Sequence, residues 1–173
     1  GRYDWKGIDA RLLDAHYAAL SFFSEAGLRY FLPAYLVADL KEELATADPL
    51  FTLVHGFSDV TVTHHTGSRE FKRTKGRRSL VNPRRYGAAT FFDYARWRLS
   101  VFAREEAEAI VSYLKYRRDS DPHGIQKAEI EAALDLFWLE RAENAPTASD
   151  LARHRAEEEG YLAAIGVDAV RGR

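Results

Sequence analysis

Apolar residues recur at intervals of three and four through the first quarter of the chain. Between Ile8 and Phe23, Leu12, Leu13, His16, Leu20 and Phe23 keep that spacing behind Asp9, a residue suited to accept the free amides of a helix start. One amphipathic helix is predicted there, with His16 read as a core histidine on its apolar face. Ser24 offers a second cap. The following stretch, SEAGLRYFLPAYLVADLKEEL, carries Leu28, Phe31, Leu32, Tyr35, Leu36, Leu40 and Leu44 as a broad stripe. Pro33 lacks an amide hydrogen and crowds the turn before it, so this helix is expected to kink or split there.

The period then changes. Phe51 to His55 (FTLVH) and Asp59 to His64 (DVTVTH) are rich in β-branched and aromatic residues on either side of Gly56-Phe57-Ser58, which predicts a small β-hairpin. Gly67, Gly76, Pro83 and Gly87 punctuate a polar run, so residues 67–87 are read as a basic loop or insertion. Residues 88–102 fit a strand and a helix equally. Beyond them the helical period returns: Ala107, Ile110, Val111 and Leu114 share a face between Ala103 and Lys115, and Ala133, Leu134, Phe137 and Trp138 are core candidates between Ile125 and Glu143. Thr147 or Ser149 caps a last helix to about Ile165, where Gly166 stops it and a flexible tail, 166–173, begins. The fold class that follows is mainly α: a single-domain (1–173) helical bundle of about five helices with a small β-hairpin and a basic loop insertion.

Composition narrows the chemistry. At 173 residues and 46% apolar content, the chain is long enough to bury a core of its own. It has no cysteine, which excludes disulfides, thiolate nucleophiles and Cys-ligated zinc, and a cytoplasmic location is the expectation. No apolar run approaches the roughly 20 residues that span a bilayer, so no membrane partner is expected.

Charge is where the chain departs from an ordinary helical domain. From Arg69 to Arg98 there are ten basic residues and two acids, a local +8, while the remainder holds 15 basic and 24 acidic residues, or −9. Arg69, Lys72, Arg73, Lys75, Arg77, Arg78, Arg84 and Arg85 supply guanidinium forks and ammonium charges suited to carboxylates or phosphates, with Phe71 and Tyr86 able to stack on bases. The reading is a non-enzymatic interaction domain that presents this segment to an acidic partner, protein or nucleic acid. Two alternatives compete with it. The segment is a solvated loop paired with the protein's own acidic surface, or the acidic body itself covers a basic effector, as in an immunity or antitoxin-like protein.

The segment Asp4 to Leu40 resembles the N-terminal half of a bacterial family of unknown function marked by a Tyr-Phe-Leu-Pro-Ala-Tyr-Leu run, here Tyr30 to Leu36. A second block, Glu105 to Tyr116, is similar to the same family, although Ala103-Arg104 stands where that family has Thr-Pro at the helix start. The resemblance implies a soluble bacterial domain and no particular activity. The basic segment lies outside both blocks, which points to a specialisation of this chain rather than a property of the family.

Signatures of catalysis are missing. There is no HExxH, G-x-S-x-G, P-loop or G-x-G-x-x-G. His64 and His65 are adjacent and point to opposite faces of a strand, and His154 with Glu158 has the spacing of any charged helix face. No cofactor or metal is expected. An enzyme would need a dispersed site, for which Tyr30, Tyr35, His16 and His55 are the residues to inspect.

Overall fold

The structure, a computed structural model, describes residues 4–67, 69–82, 84 and 89–164, with backbone alone at 60–62, 64–66 and 73–75. It is mainly helical. After a 3₁₀ turn at Trp5–Gly7, Asp9 caps α1 (Ala10–Ala15) by accepting the Arg11 amide at 2.9 Å. The predicted helix through Phe23 breaks at residues 16–18 and resumes as the short α2 (Ala19–Phe22). The break turns His16 out to solvent, so it is no core histidine; its carbonyl accepts the Tyr35 hydroxyl at 3.1 Å.

Ser24 caps α3 (Glu25–Leu40) by accepting the Gly27 amide, and α3 runs unbroken through Pro33. It does not split, because Leu28, Leu32 and Tyr35, each 1% exposed, hold both sides of the proline in the core. Tight burial of three such side chains contributes about 1.5–3 kcal/mol each, comparable with the roughly 3 kcal/mol a mid-helix proline costs.

The predicted strand Phe51 to His55 is a helix instead. Asp48 accepts the Phe51 amide at 2.9 Å and Pro49 occupies the first turn of α4 (Pro49–Val54), whose Leu50, Leu53 and Val54 are buried at helical spacing. A hairpin does form, one element later: β1 (Val60–Thr66) pairs antiparallel with β2 (Arg69–Lys75), from Thr66 opposite Arg69 to Val60 opposite Lys75. Gly67, at φ +60°, takes the left-handed conformation its turn requires. Residues 69–75 of the expected basic loop are therefore strand.

The ambiguous residues 88–102 resolve as α5 (Phe91–Leu99), started by a capping box between Thr90 and Asp93. In α6 (Arg104–Ser120), Ala107, Ile110, Val111 and Leu114 face the core as the spacing predicts. The Glu106 carboxylate accepts the Ala103 amide at 2.7 Å, so the helix start is held although Ala103 has no capping side chain. It also takes a forked contact from Arg29 of α3, tying together the two segments that carry the family resemblance. α7 (Lys127–Ala133) passes through a π-helical stretch, Leu134–Trp138, into α8 (Leu139–Asn144). Thr147 and Asp150 cap α9 (Ala148–Ala164), which buries none of its residues. The expected stop at Gly166 and the tail 166–173 lie outside the described residues.

The core lies where α3, α4, α6 and the α7–α8 run meet. Trp138, fully buried, donates its indole N–H to the Leu53 carbonyl at 2.9 Å, and Phe57 stacks on Phe137 at 5.5 Å. At the far end Tyr113 and Arg117 of α6 both bond the Asp39 carboxylate of α3. Burial first, and that carboxylate second, push the Tyr113 phenol well above its ordinary pKa, so it stays a neutral donor.

Candidate acidic-partner interface

The β1–β2 ribbon leaves the helical body from a fixed base. On the entry side Phe57, 1% exposed, is wedged between Phe92 and Phe137. On the exit side the Gly76 amide donates to Ser79 Oγ at 3.0 Å, and the Gly76 carbonyl accepts the Ser79 amide at 2.9 Å. The Arg77 carbonyl accepts from the Phe92 amide at 3.2 Å and the Ser79 carbonyl from Phe91 at 3.0 Å, which ties the turn to the start of α5. A single bridge, Leu80 opposite Thr90, continues the pairing. Between base and tip the strands pair with each other, and neither packs broadly against a helix.

Of the basic residues singled out from sequence, Arg69, Lys72, Arg73, Lys75, Arg77 and Arg78 belong to this ribbon and its base turn. Arg69 sits beside the tip turn and is exposed; Lys72, mid-strand and exposed, reaches Glu70 at 3.2 Å. Arg73 and Lys75 complete β2, and their side chains lie outside the described structure. Arg77, half-buried, and Arg78, exposed, occupy the base turn and flank a cleft of about 260 Å³ shared with Thr90, Phe92 and Asp93. Arg84 is exposed, its amide held by Asn82 Oδ1 at 3.0 Å. Arg85 and Tyr86 lie outside the described residues.

Among the described residues, no carboxylate pairs with Arg69, Arg77, Arg78 or Arg84; the ion pairs of the body form elsewhere, and Lys72–Glu70 is internal to β2. Two other members of the segment are structural. Arg98 donates to the Leu20 and Ser21 carbonyls at the end of α2, closing that helix against α5, and Arg96 lies 5.4 Å from the Phe92 ring centroid. Sequence counting missed this division, because an arginine that caps a distant helix looks the same in one dimension as a free one.

Of the four residues inspected for a dispersed catalytic site, the structure joins Tyr35 to His16 through the His16 backbone carbonyl. Tyr35 is buried with its hydroxyl on the backbone of His16, and Tyr30 packs edge-on against Phe31 at 4.9 Å. His55 lies apart from them, stacked on Phe51 at 4.4 Å and edge-on to Phe91 at 5.4 Å, beside a cleft of about 430 Å³ that Phe22, Leu80 and Arg98 also line. Although partly exposed, its imidazole is desolvated by these rings, and burial lowers its pKa below the ordinary histidine value. Among the described residues no three His, Asp or Glu side chains cluster to hold a metal ion, and no helix is long and apolar enough to cross a membrane.

A family model described as a family of unknown function, DUF6714, matches residues 2–142. The match is not confined to the two blocks of resemblance; it spans the ribbon and its base and ends before α9. The ribbon's segment therefore lies within the family's extent, not outside it. No curated protein and no solved structure matches the chain.

Proposed function

The chain belongs to DUF6714, a family of unknown function, and from that premise we propose that it is a non-enzymatic binding domain whose β1–β2 ribbon docks an acidic partner. One observation carries the reading: among the described residues no carboxylate pairs with Arg69 at the ribbon tip, with Arg77 or Arg78 on a base turn held by hydrogen bonds to α5, or with Arg84 beyond that turn. Unpaired guanidinium groups on a fixed frame keep their forked donors available, and a partner's carboxylates or phosphates complete what the body leaves open. Outside residues 69–98 the chain balances to −9, which favours approach of an acidic partner through this segment.

Retention on a sulfated polysaccharide column tests it. Replacing Arg69, Arg77, Arg78 and Arg84 together by Gln is expected to lower the salt at which the protein elutes, since each neutralised contact weakens the salt-sensitive part of binding. Unchanged elution, with helical circular dichroism preserved, overturns the proposal.

A further inference from the structure

We infer that the ribbon's partner is B-form duplex DNA, entered through the major groove; this rests on the binding role proposed above and names its partner. Shape is the first ground. Each strand has seven residues, so the ribbon extends roughly 23 Å, with its two strands about 4.8 Å apart. A B-form major groove, about 12 Å wide, admits a two-stranded ribbon, whereas the deep, narrow major groove of A-form RNA does not.

The composition of the strands is the second ground. A protein–protein interface centres on a desolvated apolar patch and is poor in lysine. By sequence the two strands instead hold Thr61, Thr63, Thr66, Thr74, His64, His65 and four cations, one of them, Lys72, paired with Glu70, against Val60, Val62 and Phe71, the last 52% exposed. Hydroxyl, imidazole and guanidinium donors are the groups that contact phosphate oxygens and base edges.

The placement of charge agrees with this. Arg69 stands at the tip, and Arg77 and Arg78 at the base, so cations bracket the length of the ribbon. A ribbon seated in a groove has phosphate strands on both sides along that length. The turn at Gly76 and Ser79 ties the exit strand to the start of α5, so the ribbon has an anchored base.

Fluorescence anisotropy with the full chain tests the inference against four labelled probes: a DNA duplex of about 20 base pairs, two helical turns, the same sequence as duplex RNA, the single DNA strand, and polyglutamate. Duplex DNA is expected to bind tightest, with log Kobs falling linearly in log salt. The Arg69→Gln/Arg77→Gln/Arg78→Gln variant is expected to flatten that slope by about 2.7, at roughly 0.9 per lost phosphate contact. The corresponding Arg→Lys variant is expected to keep the slope, which separates lost charge from lost fold. Equal or tighter binding of duplex RNA or single-stranded DNA overturns the groove assignment. Binding of polyglutamate without DNA overturns the DNA inference and leaves the acidic-partner reading standing; binding of no probe overturns both.

Discussion

A Cβ added to Gly76 would stand 2.5 Å from the Cα of Asp59. The two chain segments that enter and leave the ribbon thus touch where only a hydrogen fits, and the Ser58 carbonyl oxygen closes the same spot at 2.5 Å. Close approach of backbone, not a left-handed φ, is what demands glycine here.

Gly76→Ala is accordingly expected to spread the base, at a cost of about 1–3 kcal/mol for an overpacked contact. Most of that loss should fall on the ribbon, because the core clusters around Leu53, Leu114 and Trp138 on other elements. Amide hydrogen exchange is the measurement: faster exchange in residues 60–75, with α6 unchanged, is the expected pattern. Wild-type exchange throughout the ribbon would show that the contact relaxes without consequence.

Trp138 and Leu53 give the second prediction. Both residues are 0% exposed, and the indole N–H on the Leu53 carbonyl joins the π-helical stretch to α4. Trp138→Phe leaves that carbonyl without its donor and is expected to lose about 1–3 kcal/mol. Trp138→Ala, which also opens a cavity, should lose about 3–5 kcal/mol. Urea unfolding monitored by circular dichroism reads both, and a Trp138→Phe variant as stable as the wild type would remove the hydrogen bond from the account.

His55 gives stability a pH dependence of known sign. The unfolded chain takes up a proton near the ordinary histidine value of about 6.5. The folded chain resists protonation to lower pH, because Phe51 and Phe91 desolvate the ring. Between those two values the unfolded state binds more protons, so this contribution is complete above about 6.5 and is lost as pH falls through the folded pKa. His55→Leu is expected to flatten the decline of Tm on mild acidification from neutral pH. A decline of the same steepness in both proteins would rule His55 out as its source.

Much of the helical framework was legible in one dimension. Ser24 and Asp9 cap where the residue types predict, and Ala107, Ile110, Val111, Leu114, Leu134 and Trp138 are buried where the period places them. The errors have local causes. Phe51 to Val54 reads as strand by composition, yet Asp48-Pro49 is a helix start, and a cap with a fixed φ outweighed β propensity. Asp59 onward is strand-like as its composition predicts, but its partner lies downstream among arginines rather than upstream among aromatics, since an exposed ribbon tolerates charge on its strands.

The candidate interface divides along the same line. By itself the sequence determined that a basic segment interrupts an acidic chain, that apolar stripes build a mainly α body around it, and that no cysteine chemistry is available. Only the tertiary structure decided that the segment is a paired ribbon on a clamped base, that Arg98 serves the end of α2, and that Arg69, Arg77, Arg78 and Arg84 remain without carboxylate partners among the described residues. The physical reason is that helix periodicity and capping act over three or four residues and are written locally. Whether a charge is paired depends on contacts as far apart in sequence as Leu20 and Arg98, 78 positions, which only the folded chain brings together.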